Sequence, residues 1–286
     1  MLKKIVYLIF PERVYSKLRT FYLSNKNKLF GKITYSGMKK ILESKMGITR
    51  GNTVFIHNSM DFLNIDFGAS KLLNLLLEIV GEEGTLIFPA WHFNYRAENY
   101  LQDDLIFDVK RSPSAMGLLS EFARRNPQAL RSIHPTTSIV AIGKHAAEIV
   151  ADHHKSVYPC GELSPYYKMM KYHAKIVGLG VSSHFVSFVH CVEDVMKDGF
   201  PIKTRTGTIF DGKVKLLDGQ VIVVKTLAAS TGISKRNIPR FMKKYISKKA
   251  FHSFSCKGND FYIADSEKLF SEISDLAHKG ITIYNI

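Results

Sequence analysis

The chain has little of what marks secreted, metal-binding or membrane-spanning proteins. It holds three cysteines and one tryptophan in 286 residues. The cysteines, at 160, 191 and 256, lack the spacing of a disulfide framework or a zinc site. No apolar run approaches the roughly 20 residues of a transmembrane helix. The apolar stretch at residues 5–10 is short, and no small-residue cleavage site follows it. We therefore expect a cytoplasmic protein with reduced thiols.

Several catalytic and binding motifs are missing as well. The 11 histidines include no His-Glu-x-x-His pair, so we expect no metal. The Gly-x-Ser-x-Gly turn of serine hydrolases is absent. No nucleic-acid recognition motif accompanies the basic charge, and we expect no nucleic-acid partner. These absences disfavour metalloenzymes, serine hydrolases of that type and nucleic-acid-binding proteins.

What the sequence does have is an alternation of apolar strands with amphipathic helices. It predicts strands at residues 53–57, 85–88, 138–142 and 175–179, and helices at residues 69–80 and 114–125. This alternation is typical of α/β proteins. A chain of 286 residues with 45% apolar content can bury one large core. We therefore predict a single mixed α/β unit, with a central sheet flanked by helices.

The pattern changes after residue 202. Residues 203–225 alternate apolar and polar side chains and contain two Asp-Gly dipeptides, at 211–212 and 218–219. This pattern predicts antiparallel hairpins appended to the main unit. A basic helical stretch follows at residues 234–249. We predict that the whole segment 203–250 helps to shape an acceptor site.

The net charge of +15 is concentrated in two segments. Residues 1–50 hold 12 Lys and Arg against 2 acidic residues, and residues 203–250 also hold 12 against 2. Residues 51–202 are slightly acidic, with 13 basic against 16 acidic residues. We predict a basic N-terminal arm at residues 1–50 and one main domain at residues 51–286, within which 203–250 is a basic insertion.

Three interpretations of the basic segments stay open. Basic residues interleaved with aromatic and aliphatic ones, as between Tyr15 and Phe30, suit the interface of an anionic membrane. The same charge attracts anionic substrates, such as coenzyme A or a nucleotide-linked sugar. It can also form a solvated face that keeps the protein soluble. Peripheral contact with the inner face of the membrane and a homo-oligomer are therefore open alternatives.

Residues 178–193 hold the most informative pattern. A strand ending in glycines runs into His190 and Glu193, which their spacing places on one side of a helical turn. A carboxylate beside a neutral imidazole fixes its tautomer and stabilises its charged form, so the imidazole can take a proton from an amine. Such pairs are also common on ordinary helix surfaces. The pair indicates a general base for acyl transfer to nitrogen only together with the rest of the chain.

Further blocks along the chain strengthen that interpretation. They lie at residues 54–60, 81–89, 107–121, 124–138 and 158–165, followed by the segment from His190 to Glu193. In their residues and their order, these blocks resemble the aminoglycoside 3-N-acetyltransferase family, also called the antibiotic N-acetyltransferase family. The resemblance spans about 140 residues closely and extends loosely towards the C-terminal end.

The resemblance implies an acetyl-CoA-dependent N-acetyltransferase, with His190 as general base and Glu193 orienting it. In that family, a His-x-Ser turn after the first strand and a Ser-x-x-Gly turn at a helix start help to form the acetyl-CoA groove. Carried onto this chain, the cofactor-binding residues are His57, Asn58, Ser59, Ser114 and Gly117. A helix start suits this use because its free backbone N–H groups hold oxygens, although serines there often only cap the helix. Acetyl-CoA is thus the expected co-substrate.

Four further residues are assigned from their positions in the matching blocks. Asp108 is a catalytic candidate that either orients a catalytic group or caps a turn. His134, Thr137 and Glu162 are predicted to bind substrate, with a structural role as the alternative for His134. Pro135 follows His134 and holds its backbone extended.

Two departures from the family pattern bear on the acceptor. The family commonly has Asn-Thr shortly before the catalytic His, where this chain has Val186 and Ser187, and a second His where this chain has Thr137. A charge of +15 also repels polycationic aminoglycosides at long range. We predict that the small-molecule amine acceptor is an amino sugar on a nucleotide or lipid carrier, in surface polysaccharide biosynthesis. Aminoglycoside modification in antibiotic resistance, and a catalytically silent relative that binds CoA or a partner, are the alternatives.

Overall fold

The computed structural model describes residues 28–230, 233 and 236–286. Its strands are β1 (Thr53–Asn58), β2 (Thr85–Pro89), β3 (Ile106–Asp108), β4 (Leu130–Arg131), β5 (Ile139–Gly143), β6 (Lys175–Leu179), β7 (Arg205–Lys215), β8 (Val221–Ala229), β9 (Phe251–Cys256) and β10 (Asn259–Asp265). Its α-helices are α1 (Tyr35–Lys40), α2 (Ala69–Val80), α3 (Ala97–Gln102), α4 (Leu118–Arg124), α5 (Ala146–Val150), α6 (Pro165–Lys168), α7 (Val189–Met196), α8 (Ile238–Tyr245) and α9 (Ser266–His278).

The main sheet has its parallel strands at the centre. Its order is β4–β5–β2–β1–β6–β10–β9. β1 pairs in parallel with β2 and with β6, whereas β5 and β10 run antiparallel to their neighbours. Residues 53–57 of β1 are all buried, as expected of a central strand covered on both faces. The carboxyl ends of β1, β2 and β6 therefore meet at one edge of the sheet.

Helices cover both faces of this sheet, and the alternation of side chains along β1 divides the core between them. Val54 and Ile56 belong to a cluster that contains the apolar side of α2. Phe55 points the other way, into a cluster with residues of α7, α8 and α9. The predicted mixed α/β unit, with a central sheet flanked by helices, is confirmed by this arrangement.

The appended antiparallel region is a single hairpin. β7 and β8 pair antiparallel, and β3 adds to β7 in parallel, giving a second, three-stranded sheet. The second Asp-Gly dipeptide, at 218–219, forms the turn as predicted. The first does not turn, because Gly212 pairs with Val224 inside the hairpin and packs tightly against Pro135. The sequence signal for a turn is overridden there by this contact.

Helix α4 begins later than predicted. The sequence pattern predicts a helix from residue 114, but α4 starts at Leu118. Gly117 has φ +102°, which is not a helical angle. The backbone N–H of Ser114 donates to Glu121 Oε2 at 2.8 Å, so the side chain of Glu121 folds back over the preceding turn. Residues 114–117 consequently form a turn that leads into the helix.

The described part of the predicted N-terminal arm packs on the main domain. Residues 1–27 of that arm lie outside the described part of the chain. Met38, Leu42 and Ile48 are buried in the cluster that covers one face of the sheet. The boundary at residue 50 stays a prediction. No helix among residues 28–230, 233 and 236–286 is both long and apolar enough to cross a membrane.

Candidate active site

A cavity of about 800 Å³ opens where the parallel strands end. It is lined by the end of β1 and the turn after it (residues 57–62), by residues 115–118 at the start of α4, and by residues 184–187 with His190 on α7. Residues of β7, β8 and the start of α8 complete its wall. Open α/β sheets bind ligands at the carboxyl ends of their strands, and a cavity of this volume accommodates small organic molecules.

His190 and Glu193 lie in the wall of this cavity on successive turns of α7. His190 Nδ1 is 2.9 Å from Glu193 Oε2. On the other side of the ring, Arg236 Nη1 is 3.0 Å from His190 Nε2. Because a guanidinium can only donate, Nε2 accepts this bond and Nδ1 carries the proton that is donated to Glu193. The lone pair of Nε2 thus lies on the cavity side of the ring, where Arg236 occupies it.

Glu193 is buried and fully partnered. Its side chain is 2% exposed, and its second oxygen, Oε1, accepts a hydrogen bond from the Tyr284 hydroxyl at 2.8 Å. Burial alone would raise the pKa of Glu193, but His190, Arg205 and Tyr284 outweigh this effect and lower it. The carboxylate therefore stays ionised and can stabilise positive charge on His190.

A buried ion pair fixes α7 beside the cavity. Arg205 binds Asp194 through two hydrogen bonds, from Nε to Oδ1 and from Nη2 to Oδ2, both 2.6 Å. Asp194 Oδ2 also accepts the backbone N–H of Cys160 at 2.7 Å. This arrangement joins α7, the first residue of β7 and the loop before α6. Such bidentate pairs are geometrically specific, so they hold the helix that carries His190 in a defined position.

His57 lies at the end of β1 in the floor of the cavity. Its Nε2 is 2.8 Å from Ser187 Oγ. Burial lowers the pKa of His57 to about 3, so the ring is neutral near neutral pH. Its Nδ1 is buried without a hydrogen-bond partner among the described residues. His57 can therefore form a hydrogen bond with a ligand, but its low pKa makes it a weak base.

Asn58, Ser59 and Gly117 form one side of the cavity. Gly117 faces Asn58, because a Cβ on Gly117 would lie 3.5 Å from Asn58 Oδ1. Asn58 Oδ1 is buried and accepts no hydrogen bond from a described residue. The backbone N–H groups of Gly117 and Leu118 likewise donate to no described residue. This side of the cavity therefore offers hydrogen-bonding groups of both kinds to a bound molecule.

Ser114 lies behind this wall rather than in it. Its hydroxyl accepts the backbone N–H of Met116 at 3.2 Å, and its own N–H is taken by Glu121. Residues 115–118 line the cavity, whereas Ser114 does not. The structure thus brings four of the five predicted cofactor-binding residues to the cavity and leaves Ser114 to shape the turn.

Of the three predicted substrate-binding residues, one lines the cavity and two do not. Thr137 lines the cavity, and its hydroxyl donates to the Pro159 carbonyl at 3.1 Å. His134 is buried beneath it and stacks on His153, with ring centroids 4.3 Å apart. Glu162 is exposed, pairs with Lys197 at 3.2 Å and does not line the cavity.

Asp108 lies away from the cavity at the end of β3. Its Oδ1 accepts the backbone N–H groups of Lys110 and Arg111 at 3.0 and 2.8 Å. This geometry is that of a carboxylate closing a turn, which is one of the two roles that the sequence leaves open. Asp108 does not touch the His190–Glu193 pair in this arrangement.

Sequence reasoning missed the partners that complete the pair. Tyr284 is 91 residues from Glu193, and Arg236 is 46 residues from His190. Arg236 is one of 12 basic residues between 203 and 250, and nothing in its local pattern distinguishes it. Ser187, noted only as a departure from a pattern, proves to be the partner of His57. Within the described ranges, no group of three or more His, Cys, Asp or Glu residues could hold a metal ion.

Comparison with known proteins identifies the family of the chain. A family model described as aminoglycoside 3-N-acetyltransferase matches residues 55–277, which confirms the resemblance seen in the sequence. The aminoglycoside N(3)-acetyltransferase IX of Micromonospora chalcea is 28% identical over 188 residues, covering 60% of this chain and 65% of that protein. The SPbeta prophage-derived aminoglycoside N(3')-acetyltransferase-like protein YokD of Bacillus subtilis is 27% identical, covering 54% of this chain and 69% of that protein. The match to the Micromonospora chalcea protein thus spans just under two thirds of its length.

Solved structures share the fold. The aminoglycoside acetyltransferase AAC(3)-Xa superimposes with a TM-score of 0.75 at 18% identity, over 93% of this chain and 99% of that one. A structure titled AAC-IIIb binary with CoASH superimposes with a TM-score of 0.71 at 19% identity, over 87% of this chain and 97% of that one. At these identities the likeness establishes the common fold.

Proposed function

The chain belongs to the aminoglycoside 3-N-acetyltransferase family, and from that premise we propose that it transfers an acetyl group from acetyl-CoA to a primary amine, with His190 as general base. The observation that carries the proposal is the orientation of His190. Its Nδ1 is held by the buried Glu193 at 2.9 Å, and its Nε2 faces the cavity as a hydrogen-bond acceptor. A base needs both a lone pair directed towards the substrate site and a partner for the charge it acquires.

The reaction exchanges one bond to the acetyl carbon for another. Acetyl-CoA supplies the acetyl group, so that a C–S bond breaks and an amide C–N bond forms. His190 Nε2 takes the proton that leaves the amine nitrogen and then gives a proton to the departing thiolate, which yields CoASH and restores the neutral imidazole. Glu193 stabilises the imidazolium while it exists, and Tyr284 and Arg205 keep Glu193 charged. Holding amine and base in contact supplies much of the acceleration.

The turn after β1 and the start of α4 are the proposed cofactor groove. The residues we assign to it are His57, Asn58 and Ser59 from the end of β1 and the turn after it, and Gly117 from the turn before α4. The fit rests on groups left without partners: Asn58 Oδ1, His57 Nδ1, and the N–H groups of Gly117 and Leu118. The two N–H groups are candidates to hold the thioester oxygen as charge develops on it. The structural neighbour AAC-IIIb is titled as a complex with CoASH, which supports this use of the cavity.

The proposed acceptor is an amino sugar. We favour one on a nucleotide or lipid carrier, as used in surface polysaccharide biosynthesis, where a basic protein could also contact an anionic membrane. The charge of +15 supports an acceptor that is not strongly cationic. A second candidate is an aminoglycoside antibiotic, which the names of the relatives favour, including a structure titled AAC-VIa bound to Sisomicin.

The test is CoA release from acetyl-CoA with a panel of amines. The panel contains simple hexosamines, nucleotide-linked amino sugars and aminoglycosides. We expect turnover with the amino sugars, and we expect His190→Ala to lose about 10²- to 10⁴-fold in kcat. The control is His173→Ala, because His173 is an exposed histidine that pairs with Glu267 on the surface.

Each outcome decides one part of the proposal. Turnover with aminoglycosides alone would replace the biosynthetic acceptor by the resistance substrate. A folded His190→Ala protein with unchanged kcat would exclude His190 as the base. Absence of CoA release with every amine would contradict the proposed activity.

A further inference from the structure

Arg236 occupies the position that the acceptor amine must take. Its Nη1 lies 3.0 Å from His190 Nε2 and donates a hydrogen bond to the lone pair of that nitrogen. An amine that is to be deprotonated must donate to the same lone pair. One imidazole nitrogen accepts one such bond. The proposed base is therefore covered by a protein side chain, and the acceptor can reach it only when Arg236 moves away.

A displaced Arg236 needs another partner for its charge. Within the described ranges, no carboxylate lies within 4.0 Å of Arg236, and the residue is exposed. Arg205 in the same cavity differs, because Asp194 already satisfies it through two short hydrogen bonds. Guanidinium groups bind phosphate and carboxylate oxygens in pairs. The partner best suited to draw Arg236 from His190 is thus an anionic group on a bound substrate.

The small number of acidic residues in the cavity also favours an anionic acceptor over a polycationic one. Of the described residues that line it, Asp61 and Glu193 are acidic. Glu193 is already engaged with His190 and Tyr284, so Asp61 alone is left to bind an ammonium group. A polycationic acceptor would place several ammonium groups in this cavity beside Arg236. Like charges brought together in a partly enclosed site cost energy that one carboxylate does not offset.

Building on the proposed function, we propose that the amine acceptor carries a phosphate group and that Arg236 recognises it. In the free protein Arg236 covers Nε2 of His190. When the acceptor binds, the guanidinium exchanges Nε2 for the phosphate oxygens, and the amine takes the vacated position. Arg236 thus couples recognition of the anionic group to exposure of the base. It is a specificity residue, and the exchange breaks and forms hydrogen bonds only.

The first experiment compares matched acceptors. Steady-state kinetics at saturating acetyl-CoA would use glucosamine, glucosamine 1-phosphate, a UDP-linked amino sugar and a polyprenyl-diphosphate-linked amino sugar. We expect kcat/KM to be at least tenfold higher with a phosphate-bearing acceptor than with glucosamine. The UDP-linked and polyprenyl-linked arms distinguish the nucleotide source of the phosphate from the lipid source.

The variants assign that preference to Arg236. In Arg236→Ala the ratio of kcat/KM between phosphate-bearing and neutral acceptors should fall to near one, mainly through KM, and Arg236→Lys should retain part of it. The matched control is Arg240→Ala, which removes an exposed arginine of α8 that does not line the cavity. A phosphate preference that survives in Arg236→Ala, or wild-type protein that prefers aminoglycosides, would overturn the proposal.

A second readout needs no acceptor. Diethyl pyrocarbonate modifies an accessible, neutral imidazole nitrogen, and peptide mass spectrometry follows His190 separately from the other histidines. We expect His190 to react several-fold faster in Arg236→Ala than in the wild type or in Arg240→Ala. Equal rates would show that Arg236 does not cover the base. Because this measurement does not use turnover, it tests Arg236 even if no amine in the panel is acetylated and the proposed activity itself fails.

Discussion

Glu193 is the residue whose replacement best tests how the pair works. In Glu193→Gln the side chain keeps its size but loses the charge that stabilises imidazolium. Because Glu193 is 2% exposed, water cannot replace that charge. We expect kcat to fall by about 10²-fold or more while KM for acetyl-CoA changes little. Glu148→Gln, at a surface carboxylate, is the control, and a kcat within twofold of the wild type would contradict the assigned role.

Glu193→Gln should also change how the free energy of unfolding depends on pH. Although burial opposes it, the partners of Glu193 lower its pKa below the ordinary value of 4.5. A carboxyl group whose pKa falls on folding stabilises the protein above its unfolded-state pKa, and this contribution is lost as pH falls through the folded-state value. The difference in free energy of unfolding between wild type and Glu193→Gln should therefore shrink as the pH falls below about 4.5 and Glu193 becomes protonated. Urea unfolding at a series of pH values measures it, and a difference that grows in acid would contradict it.

At this scale the sequence reveals pairs that are close along the chain. His190 and Glu193 can be identified together because one helical turn brings them into contact. Tyr284 and Arg236 reach the same pair from distant segments, and only the fold places them there. Neither tyrosine nor arginine in a basic, aromatic chain stands out by composition. The His190–Glu193 contact was therefore predictable, whereas the groups that tune and cover the proposed base were not.

At the scale of elements, two glycines of the hairpin β7–β8 allow the effect of tight packing to be tested, because their surroundings differ. A Cβ on Gly212 would lie 2.5 Å from Pro135 Cγ, whereas on Gly207 it would meet only Lys203 Nζ at 3.6 Å. Both glycines lie in β7, Gly212 paired with Val224 and Gly207 at the irregularity between Arg205 and Ile209. We expect Gly212→Ala to cost about 1–3 kcal/mol, because the hairpin must move away from the loop after His134, and Gly207→Ala to cost much less.

Thermal or urea unfolding of the two variants checks this difference. The hairpin also forms part of the cavity wall through Arg205, Leu227 and Ala229. A displaced hairpin should therefore raise KM for the acceptor in Gly212→Ala but not in Gly207→Ala. Equal stability of the two variants would mean that the Pro135 contact does not position the hairpin.

Elements were predictable where one physical signal dominates. The strand at Lys175–Leu179 and the helix at Ala69–Val80 have the predicted bounds, because an apolar run and a regular amphipathic repeat leave little choice. The predictions differ from the structure at Gly212 and before Leu118. There a tertiary contact and a side-chain cap decide the local conformation, and neither can be read from neighbouring residues.

For the whole molecule, the distribution of charge has a consequence for the rate of binding. The segment 203–250 has 12 basic and 2 acidic residues, and it supplies β7, β8 and α8, which border the cavity. A positive field of this kind attracts anionic molecules and repels cationic ones over distances set by the ionic strength. The Debye length shrinks from about 30 Å at 0.01 M salt to about 10 Å at 0.1 M. Salt should therefore change the rate of capture according to the charge of the acceptor.

We expect kcat/KM for a phosphate-bearing amino sugar to fall several-fold between about 0.01 and 0.1 M NaCl, because its attraction is screened over that range. Glucosamine and glucosamine 1-phosphate form the matched pair, and acetyl-CoA must be saturating because it is itself anionic. The charge on glucosamine is at most one ammonium group, so its kcat/KM should stay constant or rise slightly. An aminoglycoside should gain with salt, because screening removes its repulsion by a chain of net charge +15. The same salt dependence for both members of the pair would show that the basic segments act on something other than the acceptor.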